Sequence, residues 1–261
     1  MTTQENKYKR VAIVTGGSQG IGLAIAKQLS DQGMWVAIGA RRAGDSDVEH
    51  AVRSVVRGQV MIAALDVRDA KSVDQFVANI SQRFGTADVL VNAAGISVHQ
   101  TIEGHSDEQW LDTIETNLNG PFRMIRACLP NMKKNSWGRI VNIASTAAHT
   151  AAPTHGAYCA SKAGLLGLTR AVALEGAPHG VTCVAISPGW VETNMLQQSA
   201  VKIAKRSGRT PQEEIRLMAA SNPQNRLVQP EEIAALVAFC CSEAAAGLTM
   251  EDIQVNAGAW W

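Results

Sequence analysis

The chain has 261 residues, 46% of them apolar, and its acidic and basic side chains nearly cancel to a formal charge of +1. That composition sustains a large core and excludes a disordered chain, while the balanced charge excludes the basic footprint of a nucleic-acid binder or a membrane-surface protein. No apolar run in the sequence approaches the roughly 18 residues of a membrane span, and the N-terminal stretch lacks the apolar segment of a signal peptide, so a soluble cytoplasmic protein is expected.

Val11 to Val14 form a short apolar run of the kind a buried parallel strand makes. The loop that follows holds Thr15, Gly16, Ser18, Gln19, Gly20, Ile21 and Gly22, and then Leu23, Ile25, Ala26 and Leu29 recur at helical spacing. Glycines at these places let backbone amides approach a pyrophosphate, and the helix opening near Gly20 turns its positive end to that anion. Glycines serve plain turns equally well, but a strand before and a helix after are what the phosphate reading requires.

Trp35 to Ala40 reads as a second strand, whose end meets the adenine ribose in dinucleotide folds. An acid there suits a free 2′-hydroxyl; here Arg41 and Arg42 follow, and their guanidinium forks favour the 2′-phosphate of NADP(H) over NAD(H). A solvated charge pair is the bland alternative.

Val60 to Asp66 is a third strand, and Asp69 to Phe84 an amphipathic helix. Asp88 to Asn92 is a fourth strand running into Ala93, Ala94 and Gly95, small enough to admit a flat ring. Ser106 reads as the N-cap of a long helical region reaching Lys134, bent at Pro121, with Asn117 inside it. Arg139 to Ala144 is a fifth strand that delivers Ser145 at its carboxyl end. After the loop marked by Pro153 and Gly156, a helix carries Tyr158 and Lys162 four residues apart on one face. A phenol has a pKa of about 10; an ammonium within about 4–6 Å lowers it by roughly 1–3 units, towards the range of useful proton transfer. A solvated pair on an ordinary helix is the alternative.

Val181 to Ser187 is a sixth strand, followed by Pro188 and Gly189. Residues 190–222 are helical but broken at Gly208 and Pro211; a helix over Glu231 to Ser242 and a strand from Ile253 to Asn256 complete the chain. Strands and helices alternate without linker or repeat, so the expectation is one α/β domain over residues 1–261, doubly wound and Rossmann-like, with a seven-stranded, mostly parallel sheet. Thr15, Asp66, Asn92 and Ser145 all fall at carboxyl ends of strands, where such sheets bind ligands. The five cysteines include no Cys-x-x-Cys, and no metal site or disulfide frame is expected.

Taken together, Thr15-x4-Gly20-x-Gly22, Asp66-Val67, Asn92-Ala-Ala-Gly95, Asn117, Ser145, Tyr158-x-x-x-Lys162 and Pro188-Gly189 resemble the short-chain dehydrogenase/reductase family, over about Lys9 to Gly258. Members similar to ketone and 3-oxoacyl reductases are the nearest in pattern. The resemblance implies hydride transfer between a nicotinamide and a ketone or secondary alcohol. Tyr158 would be the acid or base, and Ser145 a hydrogen-bond donor to the reacting oxygen. Lys162 would act on Tyr158 and the nicotinamide ribose, and Asn117 would hold a water leading to solvent. Asp66 and Val67 would flank the adenine; Pro188, Gly189, Val191 and Thr193 would line the nicotinamide. Ala93 stands where many members carry a second Asn, and Gln19 where many NADP-dependent members carry a basic residue.

Residues 190–222 would then be a substrate lid, facing an apolar pocket with Trp190, Met195 and Leu196; His99, His149 and His155 in the neighbouring loops are either polar contacts or solvated. No basic cluster clearly marks a dock for an acyl carrier protein, Arg123, Arg126, Lys133 and Lys134 being the nearest to one. Trp260 and Trp261 either fold onto their own core or, as the family implies, lie at the interface of a homotetramer, or of a dimer. An NAD(H)-dependent alcohol dehydrogenase and a non-catalytic nucleotide sensor or scaffold are the competing readings; a tuned phenol is of no use to the latter.

Overall fold

Apolar residues on both faces of the central strands decide the architecture. A computed structural model of the chain describes residues 9–259, so Tyr8, Trp260 and Trp261, with the interface expected of the two tryptophans, lie outside the described residues. The strands are β1 (Val11–Thr15), β2 (Trp35–Ala40), β3 (Val60–Ala64), β4 (Val89–Asn92), β5 (Gly138–Ile143), β6 (Val181–Pro188) and β7 (Asp252–Val255). They form one seven-stranded sheet in the order β3-β2-β1-β4-β5-β6-β7, and all six pairings are parallel.

Successive side chains on a strand point to opposite faces. Ala12, Val14, Val36, Ile38, Val89 and Val91 therefore pack on one side against Ile25, Leu29 and Val237. Those come from α1 (Gly20–Asp31) and, later in the chain, from the helix Pro230–Cys240. Val11, Ile13, Leu90 and Ile140 pack on the other side against Phe76, Ile80, Met124 and Met132. A helix over Ser46–Val55, α2, precedes α3 (Ala70–Phe84) and went unread in the sequence because only Val52 of it is buried.

The long helical region resolves into α4 (Asp107–Ile114), a π-helical turn over Glu115–Asn119, and α5 (Gly120–Lys134). The irregularity lies where the proline was expected to act: Pro121, which has no N–H to donate to the turn before it, directly follows the π-helical turn and opens α5. Ser106 caps α4 as expected, its Oγ accepting from Gln109 N at 3.2 Å. Beyond them lie α6 (Gly156–Gly176), α7 (Asn194–Ser207), α8 (Pro211–Ala220) and α9 (Pro230–Cys240). Among the described residues, no helix is long and apolar enough to cross a membrane.

Register positions the site. Thr15 pairs with Asn92, and Asn92 with Asn142, so three neighbouring strands end in one row. A buried polar rail crosses that row: Asn92 Nδ2 donates to Asn142 Oδ1 at 2.8 Å, and Asn142 Nδ2 to Thr169 Oγ1 of α6 at 2.9 Å. The chain leaves β1 towards β2 on one side and resumes at β4 on the other, and the crevice opens at that switch point.

Candidate active site

The crevice has two lobes that share Gly95 in their walls. The glycine loop crosses it. Gly16 has φ +66°, and a Cβ there would sit 2.8 Å from Ala94 Cα; a Cβ on Gly22 would sit 2.4 Å from Gly16 O. Gly16 and Gly22 are thus glycines by steric necessity, packed against neighbouring backbone, and the Gly16 amide donates to Gly39 O at 2.7 Å. Gly16, Ser18 and Gln19 line the first lobe and Ile21 the second, but Thr15, Gly20, Gly22 and Asn92 line neither. Thr15 is instead a brace, its buried Oγ1 accepting from Ala93 N and Ala94 N, both at 3.1 Å.

Arg41, Arg42, Asp66 and Val67 line the first lobe. Arg42 is largely exposed and its Nε donates to Asp45 at 2.6 Å. The Asp66 carboxylate is held below its ordinary pKa, chiefly by hydrogen bonds from Arg68 and more weakly by the charge of Arg41. Arg68 donates to both Asp66 oxygens, with Nη2 at 2.6 Å from Oδ2, and also pairs with Asp112 of α4 at 2.5 Å. Sequence reading missed Arg68; a cation two residues after a strand-end acid was the available signal.

In the second lobe, Ala93, Ser145, Tyr158, Lys162, Pro188, Gly189, Val191 and Thr193 come together from four separate stretches of chain. Ser145 leaves β5 in extended conformation, accepts from Ala147 N at 3.1 Å and lies near enough to Tyr158 to favour its phenolate. Lys162 is buried, its Nζ 5.6 Å from the Tyr158 ring centroid and donating to Ile143 O at 2.7 Å. Burial lowers the Lys162 amine to a pKa of about 8.

Tyr158 departs from the expectation drawn from spacing. Burial pushes its phenol above the ordinary value, and Ser145 opposes this without reversing it. Desolvation is the largest cause, and the Lys162 amine, 5.6 Å from the ring centroid, is not among the groups that lower it.

Asn117 sits in the π turn, fully buried, outside both lobes. Its Oδ1 accepts from Ile96 N at 2.9 Å, and its Nδ2 donates to Ile96 O at 2.9 Å and to Ser161 Oγ at 3.1 Å. The side-chain amide is therefore engaged as a strut between the Gly95–Ile96 loop and α6.

The three histidines separate. His155 lines the second lobe, His99 is buried behind it, and His149 lies outside it with its ring on Asp252 at the sheet edge. Ser199, also unread in the sequence, reaches the lobe because the fold swings α7 across it. Three of the four basic residues weighed as a docking cluster are engaged internally: Arg123 on Glu115 at 2.6 Å, Arg126 over the Phe122 ring, and Lys133 near Glu175. Among the described residues, no group of three or more His, Cys, Asp or Glu side chains is placed to hold a metal ion.

The sequence model of the short chain dehydrogenase family matches residues 10–203. The putative ketoacyl reductase of the monensin polyketide synthase of Streptomyces virginiae is 41% identical, over 95% of this chain and 96% of that protein. A D-beta-hydroxybutyrate dehydrogenase of Rhizobium meliloti is 35% identical, over 95% of this chain and 98% of its own length. Among solved structures, a single-substitution variant of the actinorhodin polyketide ketoreductase with NADPH superimposes with a TM-score of 0.91 at 37% identity, covering 99% of this chain and 98% of that one.

Proposed function

The chain belongs to the short-chain dehydrogenase family, and on that premise we propose that it is an NADP(H)-dependent oxidoreductase acting on a ketone or its secondary alcohol. The observation that carries the reading is the convergence of Ser145, Tyr158 and Lys162 in one lobe of a crevice whose other lobe carries Arg41 and Arg42.

The walls fit a dinucleotide. The loop at Gly16, Ser18 and Gln19, opening α1, suits a pyrophosphate, the Arg41 and Arg42 end a 2′-phosphate, and the small residues Ala93 and Gly95 a flat ring. When bound there, the nicotinamide supplies the hydride chemistry. The protein supplies the proton. A Tyr158 phenol with raised pKa is held protonated at neutral pH, and it donates to a carbonyl oxygen as negative charge develops there. Ser145, beside the same hydroxyl, steadies that oxygen. The Lys162 amine, still mostly cationic at pH 7 with a pKa of about 8, favours the phenolate left behind. Brace residues Thr15, Asn92 and Asn117 hold these groups in register.

Trp190, Met195 and Leu196 give the second lobe an apolar side, supporting a mainly apolar ketone, and residues 190–222 act as its lid. Reduction is the favoured direction, since the two ketoreductase relatives are named for it. Exposed Leu111, Phe122 and Leu174 on α4, α5 and α6 support self-association, with a homotetramer as the assembly proposed. An NAD(H)-dependent alcohol dehydrogenase is the second reading, favoured by Gln19 in the glycine loop and by the hydroxybutyrate dehydrogenase relative. A panel of ketones and secondary alcohols with NADPH, NADP, NADH and NAD, followed at the nicotinamide absorbance, tests both; no turnover with any pair would overturn the enzyme reading.

A further inference from the structure

Helices α7 and α8 pack chiefly on one another. Leu196, Ala200, Met218 and Leu227 form a small apolar cluster of their own, separate from the two clusters that cover the sheet. A helical pair built this way needs other ties to hold a fixed angle over the crevice. His99 provides them. It is 7% exposed, and its Nε2 lies 3.3 Å from Ser199 Oγ on α7. Its backbone carbonyl accepts from Arg206 Nη2 at 3.0 Å, two turns further along the same helix.

The other side of His99 faces the loop before α6. Its ring meets that of His155 edge-on, with centroids 4.2 Å apart, and the adjoining Gln100 donates its N–H to Thr154 O at 2.9 Å. His155 in turn lies 6.4 Å from the Tyr158 ring, also edge-on. A carbonyl oxygen only accepts, so the 3.0 Å contact from His155 Nδ1 to Pro153 O assigns the proton to Nδ1 and leaves Nε2 an acceptor. Ser199, His155 and Tyr158 all line the second lobe.

We propose that His99 is a positioning residue for the substrate, a clasp that joins the lid helix α7 to the loop before α6 and so sets the width of the substrate lobe and the place of His155 beside Tyr158. The proposal rests on the oxidoreductase reading above and adds to it a determinant of substrate fit. The groups around His99 suit a permanent tie. Burial, then the neighbouring His155, Lys202 and Arg206, hold its pKa down to about 4, so the ring stays neutral through the physiological range.

His99→Phe keeps an aromatic ring in the site and removes the link to Ser199; Arg206→Met leaves His99 and removes the link to its carbonyl. Both variants are assayed for KM and kcat with the best ketone, for NADPH affinity by nicotinamide fluorescence, and for cleavage within residues 190–222 by limited proteolysis. Each should raise KM about three- to tenfold with kcat nearly unchanged at saturation. NADPH affinity should hold, and cleavage within 190–222 should quicken. Wild-type KM and wild-type proteolysis in the Arg206 variant would overturn the clasp, as would a loss of NADPH affinity matching the rise in KM. If the His99 variant does not fold, the Arg206 variant decides alone. Absence of turnover in the wild type would sink the oxidoreductase reading instead, and unchanged proteolysis would still judge the clasp.

Discussion

Lys162 donates a 2.7 Å hydrogen bond to the carbonyl oxygen of Ile143, the last residue of β5, so the amine on α6 is moored to the strand that delivers Ser145. One bond thus ties together the two chain segments that carry Ser145 and Tyr158. Burial takes the same amine out of water and lowers its pKa to about 8.

A depressed lysine pKa has a definite sign in stability. Between about 8 and the ordinary 10.5, the unfolded chain still binds the proton that folded Lys162 has lost, so this group's cost to stability is relieved as pH rises through that window. Thermal melts of wild type and Lys162→Met, taken at pH 7 and pH 10, should show the difference in Tm moving in favour of wild type at the higher pH. A constant difference would contradict a depressed amine.

His99 shows the same sign at the acid end. Its folded pKa of about 4 lies below the ordinary 6.5, so the unfolded state binds more protons between them and stability falls as pH drops from 6.5 to 4. Denaturant midpoints across that range should slope less steeply for His99→Phe than for wild type; equal slopes would mean that His99 titrates normally.

Gly22→Ala should be damaging out of proportion to its size. Its Cβ would lie 2.4 Å from Gly16 O, a backbone atom of the loop that itself abuts Ala94. Overpacking of this kind costs about 1–3 kcal/mol, and relief by moving Gly16 would break its bond to Gly39 O and shift the wall of the first lobe. A lowered Tm together with weakened NADPH binding is expected, read by calorimetry and fluorescence titration; a variant with both properties intact would refute the steric argument.

For cofactor choice, Arg41→Asp should weaken NADPH by about tenfold or more and leave NADH within about threefold, because only the former offers a 2′-phosphate to a guanidinium. The new acid would also face Asp66, which Arg41 now favours as a carboxylate. Equal loss for both nucleotides, measured as Kd, would remove the 2′-phosphate argument.

Much of this was legible in the sequence, for physical reasons. Strands buried on both faces announce themselves as continuous apolar runs, and glycines that admit no Cβ announce the loop. The amphipathic α3 was equally plain, whereas α2, with only Val52 buried, left almost no apolar signature. The π turn at Glu115–Asn119 was hidden because its cause is tertiary: Asn117 is drawn towards the Ile96 backbone, a partner 21 positions away. The Tyr158 shift was misjudged for a related reason, since spacing reports which charges are near but not how much water surrounds them. His99 passed for a loop residue open to water; its burial depends on α7 closing over it, which no local pattern encodes.

The central claim is that Tyr158 moves the proton, and Tyr158→Phe tests it most directly. The substitution removes one oxygen and leaves the ring, its packing against His155 and the nucleotide lobes in place. Turnover of the best ketone with NADPH should fall by about 10²–10⁴-fold, while NADPH titrated by fluorescence binds as in wild type. A variant that still reduces the ketone at the wild-type rate would contradict the account.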